Sequence, residues 1–220
     1  MMPFDRAHRR AGYARLSSNV DQQGASDTIV DAYPLIANFF QRHLETTSLA
    51  VDIIAEIVGE AAELSAAAIL EDRKLFSIGL GADRASAIAL ASLLQRGILR
   101  ERPSLPVVEL TEHHIESVDT GAHWVSLQLQ ALGQSGDVAV VFASTLGPSQ
   151  IQQLVTATQQ RQVTPVWLGH RGPGLSLYPA DDSLETRLTL NHTLAVCLAR
   201  LIERSEEHTS ELQSPDHLVC

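Results

Sequence analysis

Residues 138–161 read VAVVFASTLGPSQIQQLVTATQQR, and this stretch decides the fold. The apolar run at 138–143 has the length of a buried strand, and 149–161 has the spacing of an amphipathic helix. A short loop of small and hydroxyl residues lies between them. A strand that leads through a short loop into a helix is the repeating unit of a sheet with parallel strands.

The same alternation continues on both sides of this stretch. Further strands are predicted at 75–80, 106–110, 163–168 and 175–178, and further helices at 85–95, 118–132 and 184–203. Two amphipathic helices, with apolar residues from Leu35 to Leu44 and from Val51 to Ile69, precede the first strand. The pattern predicts an α/β fold: a doubly wound, flavodoxin-like parallel sheet of five strands with helices on both faces and two N-terminal helices.

The chain divides into three segments by composition. Residues 1–33 are polar and lack periodicity, which predicts a flexible arm, and residues 34–203 form the predicted folded domain. Residues 204–214 read RSEEHTSELQS, which matches a translated sequencing adapter. We interpret 204–220 as a non-native tail, with an ordinary acidic, solvated tail as the alternative. The true C-terminus after Glu203 is then missing.

Charge, hydropathy and cysteine content limit the classes of function. The net charge of −10 opposes direct binding of nucleic acid, so the expected partner is a protein or a small molecule. No apolar run is long enough to span a bilayer and no secretory signal is present, so we expect a cytoplasmic protein without membrane contact. Cys197 lies in an apolar helical pattern and is predicted to be a core residue. Because the chain has only one other cysteine, Cys220, the sequence supports neither a disulfide framework nor a zinc cluster.

Three further segments carry a family resemblance. They are ERPSLP at 101–106, ALGQSGDV at 131–138 and STLGPS at 144–149. In this order and spacing they resemble the sugar isomerase (SIS) family, closest to the phosphoheptose isomerases and to the DnaA-initiator-associating protein of bacterial replication control. The resemblance spans about 39–203. It implies a homo-oligomer, a dimer or tetramer, in which the first helices pack between subunits.

In a doubly wound sheet, ligands bind where the strand order reverses, so the loops after Leu80 and Ala143 form the candidate site. The resemblance makes them a degenerate phosphate pocket, whose candidate ligand-binding residues are Gly79, Gly81, Asp83, Ser144, Thr145, Gly147 and Ser149. Backbone amides and hydroxyls of the second loop would bind phosphate, although Leu146 replaces a serine and Pro148 lacks an amide hydrogen.

Asp83 has two readings. Its charge would oppose a phosphate bound beside it, unless Arg84 pointed inward and offset that charge. The favoured alternative is that Asp83 caps the N-terminus of the following helix, which is the ordinary role of aspartate at such a position. Gly79 and Gly81 do not form a dinucleotide fingerprint, because Arg84 takes the place of the third glycine.

The positions that carry isomerase chemistry in the family have lost it here. Ungapped alignment places the metal-binding His and the catalytic Glu of the phosphoheptose isomerases on Ala89 and Ser92, and the Gln and His of the last helix on Leu188 and Asn191. A one-residue slip would bring Thr189 and His192 into register instead. Ala89 and Ser92 can neither bind a metal nor transfer a proton, so we predict no catalytic residue, no metal and no cofactor.

Several other histidine, glutamate and tryptophan side chains are better explained by structural roles than by a functional site. His113, His114 and Glu116 are more readily explained by solvent exposure than by a metal site, and Trp124 and Trp167 lie at core-patterned positions.

Two functional hypotheses remain. The favoured one is a non-catalytic SIS protein that, like the DnaA-initiator-associating homotetramer, binds the replication initiator DnaA and regulates initiation. The alternative is a sugar-phosphate or other carbohydrate-derivative binding protein, or a phosphoheptose isomerase acting on sedoheptulose 7-phosphate. The missing proton-transfer groups favour a protein that is not an enzyme.

Overall fold

The computed structural model describes residues 22–98, 102–111, 118–178 and 183–213. Two compact units are distinguished, 1–44 and 45–220. In the first unit, the described residues belong to the amino-terminal part of helix α1 (Gln22–Leu70). The second unit contains the sheet. Its further elements are β1 (Leu75–Gly79), one 3₁₀ turn (Gly81–Asp83), α2 (Arg84–Arg96), β2 (Val107–Thr111), α3 (Val118–Leu132), β3 (Val138–Phe142), α4 (Pro148–Arg161), β4 (Thr164–Leu168), β5 (Leu175–Leu177) and α5 (Leu184–Gln213).

The five strands form one parallel sheet in the order β2-β1-β3-β4-β5. Every residue of β1 and of β3 is buried, because helices cover both faces of the central strands. The predicted doubly wound, flavodoxin-like sheet of five strands is therefore confirmed. The strand order reverses between β1 and β3, which are neighbours in space but are separated by β2 in sequence.

Two apolar clusters lie on opposite faces of the sheet. One joins the carboxyl-terminal part of α1 with α2 and α5, and includes Ala61, Leu90 and Leu198. The other joins α3 and α4 and includes Leu129 and Leu154. Burial of this apolar area holds the helices in place on the sheet. Within the described residues, no helix combines the length and the apolar character needed to cross a bilayer.

The helical termini differ from the sequence prediction. The two predicted N-terminal helices are a single helix, α1, because residues 45–50 (ETTSLA) contain neither glycine nor proline to end it. Residues 22–33 of the predicted arm belong to this helix, and residues 1–21 lie outside the described part. At the other end α5 extends through 204–213, beyond the predicted end at Glu203. The non-native origin of 204–220 stays a prediction.

The core assignments are partly corrected. Trp167 is fully buried and donates from Nε1 to the carbonyl of Pro173 (3.0 Å), and Trp124 packs half-buried against the second apolar cluster, as predicted. The prediction for Cys197 is wrong, because its side chain is exposed. The buried face of α5 is formed by its neighbours Leu194, Ala195 and Leu198, and the helical twist turns Cys197 away from it.

A buried ion pair fixes the segment that leads into β2. Arg102 donates from Nε to Oε1 of Glu203 (3.2 Å), and the other oxygen of Glu203 accepts the amide hydrogen of Ile98 (2.9 Å). The guanidinium also donates to the carbonyl of Leu94 (2.8 Å). The side chains of Arg102 and Glu203 are 8% and 0% exposed. The arginine of the ERPSLP segment therefore ties the end of α2 to α5.

We expect Arg102→Met to lower the free energy of unfolding by about 3–5 kcal/mol, because it removes the Arg102 guanidinium from the buried carboxylate of Glu203. Urea denaturation followed by circular dichroism measures the change. The control is Arg96→Met at the exposed end of α2, which should cost less than about 1 kcal/mol. Equal urea midpoints for Arg102→Met and the unsubstituted protein would show that the pair contributes no net stability.

Candidate functional site

The loops after β1 and β3 lie side by side at the carboxyl edge of the sheet, where Gly79 is paired with Phe142. Gly79 is required by close packing: a Cβ there would lie 2.5 Å from the carbonyl oxygen of Asp83 and 2.9 Å from Cβ of Ala87. Gly81 has a φ of +58°, which begins the 3₁₀ turn. These two glycines bring the turn and the start of α2 directly onto the end of β1.

The side chain of Asp83 is fully buried and points across to the loop after β3. Its Oδ2 accepts the backbone amide hydrogen of Thr145 (3.1 Å) and lies 3.4 Å from the Thr145 hydroxyl. It makes no side-chain hydrogen bond to the first turn of α2. The N-cap interpretation of Asp83 is therefore wrong: the carboxylate joins two loops that are 62 residues apart in sequence.

Asn191 of α5 completes this network. Its Nδ2 lies within hydrogen-bond distance of Oδ1 of Asp83 (3.0 Å), Oγ of Ser144 (2.8 Å) and the carbonyl oxygen of Leu168 (3.2 Å), and these three acceptors share its two hydrogens. The residue is 1% exposed, and its Oδ1 is enclosed without a hydrogen-bond partner among the described residues. The end of β1, the end of β3 and α5 thus meet at one buried amide and one buried carboxylate.

The remaining loop residues are distributed around the start of α4. Ser144 is buried, Thr145 is half-buried and Ser149 is exposed, and Pro148 is the first residue of α4, where a missing amide hydrogen costs least. The amide of Gly147 donates to Oε1 of Gln150 (2.6 Å). Two backbone donors of this loop, on Thr145 and Gly147, are therefore bonded to side chains of the chain itself.

Gln150 is a site residue that sequence reasoning missed. Its carboxamide accepts from Gly147 and donates to the carboxylate of Asp119 on α3. A glutamine three residues after a helix N-cap is the pattern of a capping box, so a signal for this contact is present in the sequence. The contact of Gln150 with Asp119 has no comparable sequence signal.

The positions aligned with isomerase chemistry lie on α2 and α5. Ala89 and Ser92 on α2 and Leu188 on α5 are half-buried and carry no titratable group. Under the one-residue slip, Thr189 and His192 are both exposed in the chain, whereas Asn191 lies in the network. The donors at these positions do not fit a metal ion, and among the described residues no three His, Cys, Asp or Glu side chains are grouped to hold one.

Two further sequence interpretations concern neighbouring residues. Arg84 makes no hydrogen bond to Asp83 in the described part of the chain, and its Nε is enclosed without a partner there. It therefore does not offset the charge of Asp83 through a direct contact. His113, His114 and Glu116 lie outside the described residues, so their interpretation stays a prediction.

Comparisons with known proteins show relatives that cover most of this chain. The phosphoheptose isomerase of Coxiella burnetii is 27% identical over 189 residues, covering 77% of this chain and 95% of that protein. The phosphoheptose isomerase of Methylococcus capsulatus is 29% identical over 168 residues, covering 73% and 86%. The chain is similar to phosphoheptose isomerases. This similarity supports the SIS-domain interpretation, although no protein-family model matches the chain.

Solved structures show the same fold. A phosphoheptose isomerase from Francisella tularensis superimposes with a TM-score of 0.69 at 18% identity, over 79% of this chain and 98% of the other. The phosphoheptose isomerase from Neisseria gonorrhoeae gives 0.67 at 21% identity, over 79% and 99%. At these identities the structures establish the architecture, and the chemistry of the site has to be argued from its own residues.

We expect Gly169→Ala to destabilise the protein through the network, because the new Cβ would lie 2.7 Å from Oγ of Ser144 and 2.9 Å from Nδ2 of Asn191. The matched control is Gly174→Ala. Both glycines have positive φ, +84° and +88°, but a Cβ on Gly174 meets nothing closer than 3.5 Å. The backbone penalty of about 1–2 kcal/mol applies to both variants, and overpacking adds about 1–3 kcal/mol to Gly169→Ala alone.

Thermal and urea unfolding of the two variants measure this difference. Equal losses of stability would mean that the residues around Gly169 relax freely. The network would then not be a rigid part of the site.

Proposed function

We propose that this phosphoheptose isomerase-like protein binds a sugar phosphate or a related carbohydrate derivative at the loops after β1 and β3, and that it does not isomerise its ligand. The observation that carries this proposal is the position of the hydroxyl-bearing loop 144–149. It lies at the N-terminus of α4 and beside the end of β1, where the strand order reverses. Such edges bind ligands in doubly wound sheets, and helix N-termini favour anions.

Sequence similarity supports a carbohydrate ligand more strongly than a protein partner. The named relatives are phosphoheptose isomerases, and the alignments cover about three quarters of this chain. The hydroxyls of Ser144, Thr145 and Ser149 are suited to hydrogen bonds with a sugar or a phosphate. Ser149 is exposed and Thr145 is half-buried, so part of this loop is accessible to a ligand.

The absence of isomerisation follows from the residues at the aligned positions. Moving a proton between neighbouring carbons requires a group that can take it and return it, such as a carboxylate or an imidazole. Ala89, Ser92 and Leu188 offer neither. Asn191 carries an amide, which is neither an acid nor a base near neutral pH, and the two hydrogens of its Nδ2 are already shared among three acceptors.

Binding to the DnaA initiator stays a prediction. The same absence of proton-transfer groups favours a non-catalytic regulator as much as a sugar-binding protein. However, the motif that motivated this hypothesis has a structural role, since Arg102 is buried in its pair with Glu203 and is not presented to a partner. We therefore rank the initiator second.

Calorimetric titration with sedoheptulose 7-phosphate tests the ligand class. We expect a dissociation constant below about 1 mM, which corresponds to more than about 4 kcal/mol of binding free energy. A coupled assay on the same preparation should detect no isomerised product. Binding no tighter than that of an unrelated protein would refute the ligand class, and product formation at catalytic amounts of protein would refute the non-catalytic assignment.

We also propose that the protein forms the homo-oligomer implied by its family resemblance, through α1. Large apolar side chains on this helix are 44–76% exposed in the single chain: Tyr33, Leu35, Ile36, Phe39, Phe40 and Leu44. They lie on several sides of the helix, as in helices that are packed in bundles. A second copy offers the same surface, so the two can pair around a twofold axis.

Phe40→Glu and Leu44→Glu should each lower the mass of the particle, because a charge is placed among apolar contacts. Light scattering after size-exclusion chromatography measures the mass. Asn38→Glu adds the same charge at an exposed polar position of the same helix and is the control. A monomeric unsubstituted protein would contradict the proposal.

A further inference from the structure

The carboxylate of Asp83 is bound as an anion by donors from two other segments. The backbone amide of Thr145 comes from the loop after β3, and Nδ2 of Asn191 comes from α5. The hydroxyl of Thr145 lies 3.4 Å from the same carboxylate. Donors from the loop before α4 and from α5 are therefore arranged around a negative group that the chain itself supplies.

In the described part of the chain, the carboxylate of Asp83 accepts hydrogen bonds from neutral donors. Among the residues that the structure describes, no cation bonds to its carboxylate. Asp137, a second buried aspartate, differs in this respect: it accepts the amides of Lys74 and Gln134 (both 2.8 Å) and also contacts Nζ of Lys74 (2.9 Å). A buried carboxylate without a cation depends entirely on its hydrogen bonds. Nothing about such donors is selective for a carboxylate over a phosphate oxygen.

The position of these donors is that of a ligand site. Residues 144–147 link the end of β3 to the N-terminus of the 14-residue helix α4, where the helix dipole adds to the attraction for an anion. A second, independent observation is the enclosed Oδ1 of Asn191, which has no partner among the described residues although the residue is 1% exposed. A buried acceptor without a partner is uncommon, and a ligand hydroxyl that reached it would complete its hydrogen bonding.

We propose that the carboxylate of Asp83 occupies the anion-binding site formed by Thr145 and Asn191, and that it determines which ligands this site accepts. With the carboxylate in place, a phosphate group meets a like charge and donors that are already bonded. A ligand must therefore displace Asp83 or present an uncharged group, such as a sugar hydroxyl, to this anion-binding site. This inference deepens the proposed function, and its test uses inorganic phosphate so that the two can fail separately.

The experiment compares the unsubstituted protein with Asp83→Ser and Asp83→Asn. Each is titrated with sodium phosphate at constant ionic strength, with calorimetry and thermal unfolding as readouts. We expect both variants to bind phosphate at least about tenfold more tightly than the unsubstituted protein, because a nearby like charge has been removed. Their melting temperatures should rise with phosphate concentration, while that of the unsubstituted protein does not.

Two controls test whether the gain in phosphate binding arises at the anion-binding site formed by Thr145 and Asn191. Asp137→Asn removes another buried carboxylate with backbone donors and should gain no phosphate binding. Asn191→Leu in the Asp83→Ser background removes the amide donor and should abolish the gain. If the Asp83 variants are poorly folded without ligand, phosphate should restore their folded circular dichroism spectrum and should not restore that of Asp137→Asn.

The outcomes separate this inference from the proposed function. Equal phosphate affinity with and without Asp83, or an equal gain in Asp137→Asn, overturns the inference even if sugar phosphates bind. A gain confined to the Asp83 variants supports it even if sedoheptulose 7-phosphate does not bind to the unsubstituted protein. Failure of phosphate to bind or stabilise either Asp83 variant also overturns it.

Discussion

The candidate site depends on one buried carboxylate. Asp83 follows β1, accepts hydrogen bonds from the loop after β3 and from α5, and is shielded from solvent. Removing a charge from water is costly, so the donors around it must remain in place for the fold to be stable. This requirement fixes the backbone of Thr145 and the rotamer of Asn191, and through Asn191 the hydroxyl of Ser144. The geometry of the loop is therefore set from within the chain.

A buried ion pair stabilises the end of α2. The pair of Arg102 and Glu203 connects residues 101 positions apart, and Glu203 also accepts the amide of Ile98. The segment around Arg102 is one of the three that carry the family resemblance, yet its arginine has a stabilising role. A distinctive motif can thus identify a fold because it meets a demanding packing requirement, and such a motif gives little information about partners.

The fold could be predicted from the sequence because its signals are local. The central strands are continuous apolar runs, and each is followed by a helical repeat, so β1 and β3 were found within one residue of their bounds. The role of Asp83 could not be predicted in this way. Local preference indicates a helix cap, whereas the contacts that decide its orientation come from residues 62 and 108 positions away. The exposure of Cys197 was missed for a related reason, since an apolar stretch does not show which side of the helix meets the sheet.

Two departures from the isomerase pattern are in contact with each other. In the ungapped alignment that the family resemblance implies, Asn191 takes the place of a histidine ligand, and Asp83 lies in the candidate phosphate pocket, where its charge would oppose a phosphate. The two side chains are joined by a hydrogen bond of 3.0 Å. A carboxylate introduced alone would be buried with one donor fewer, and an asparagine introduced alone would lose an acceptor. Together they give the carboxylate a donor and the amide nitrogen an acceptor, so the presence of each side chain lowers the cost of burying the other.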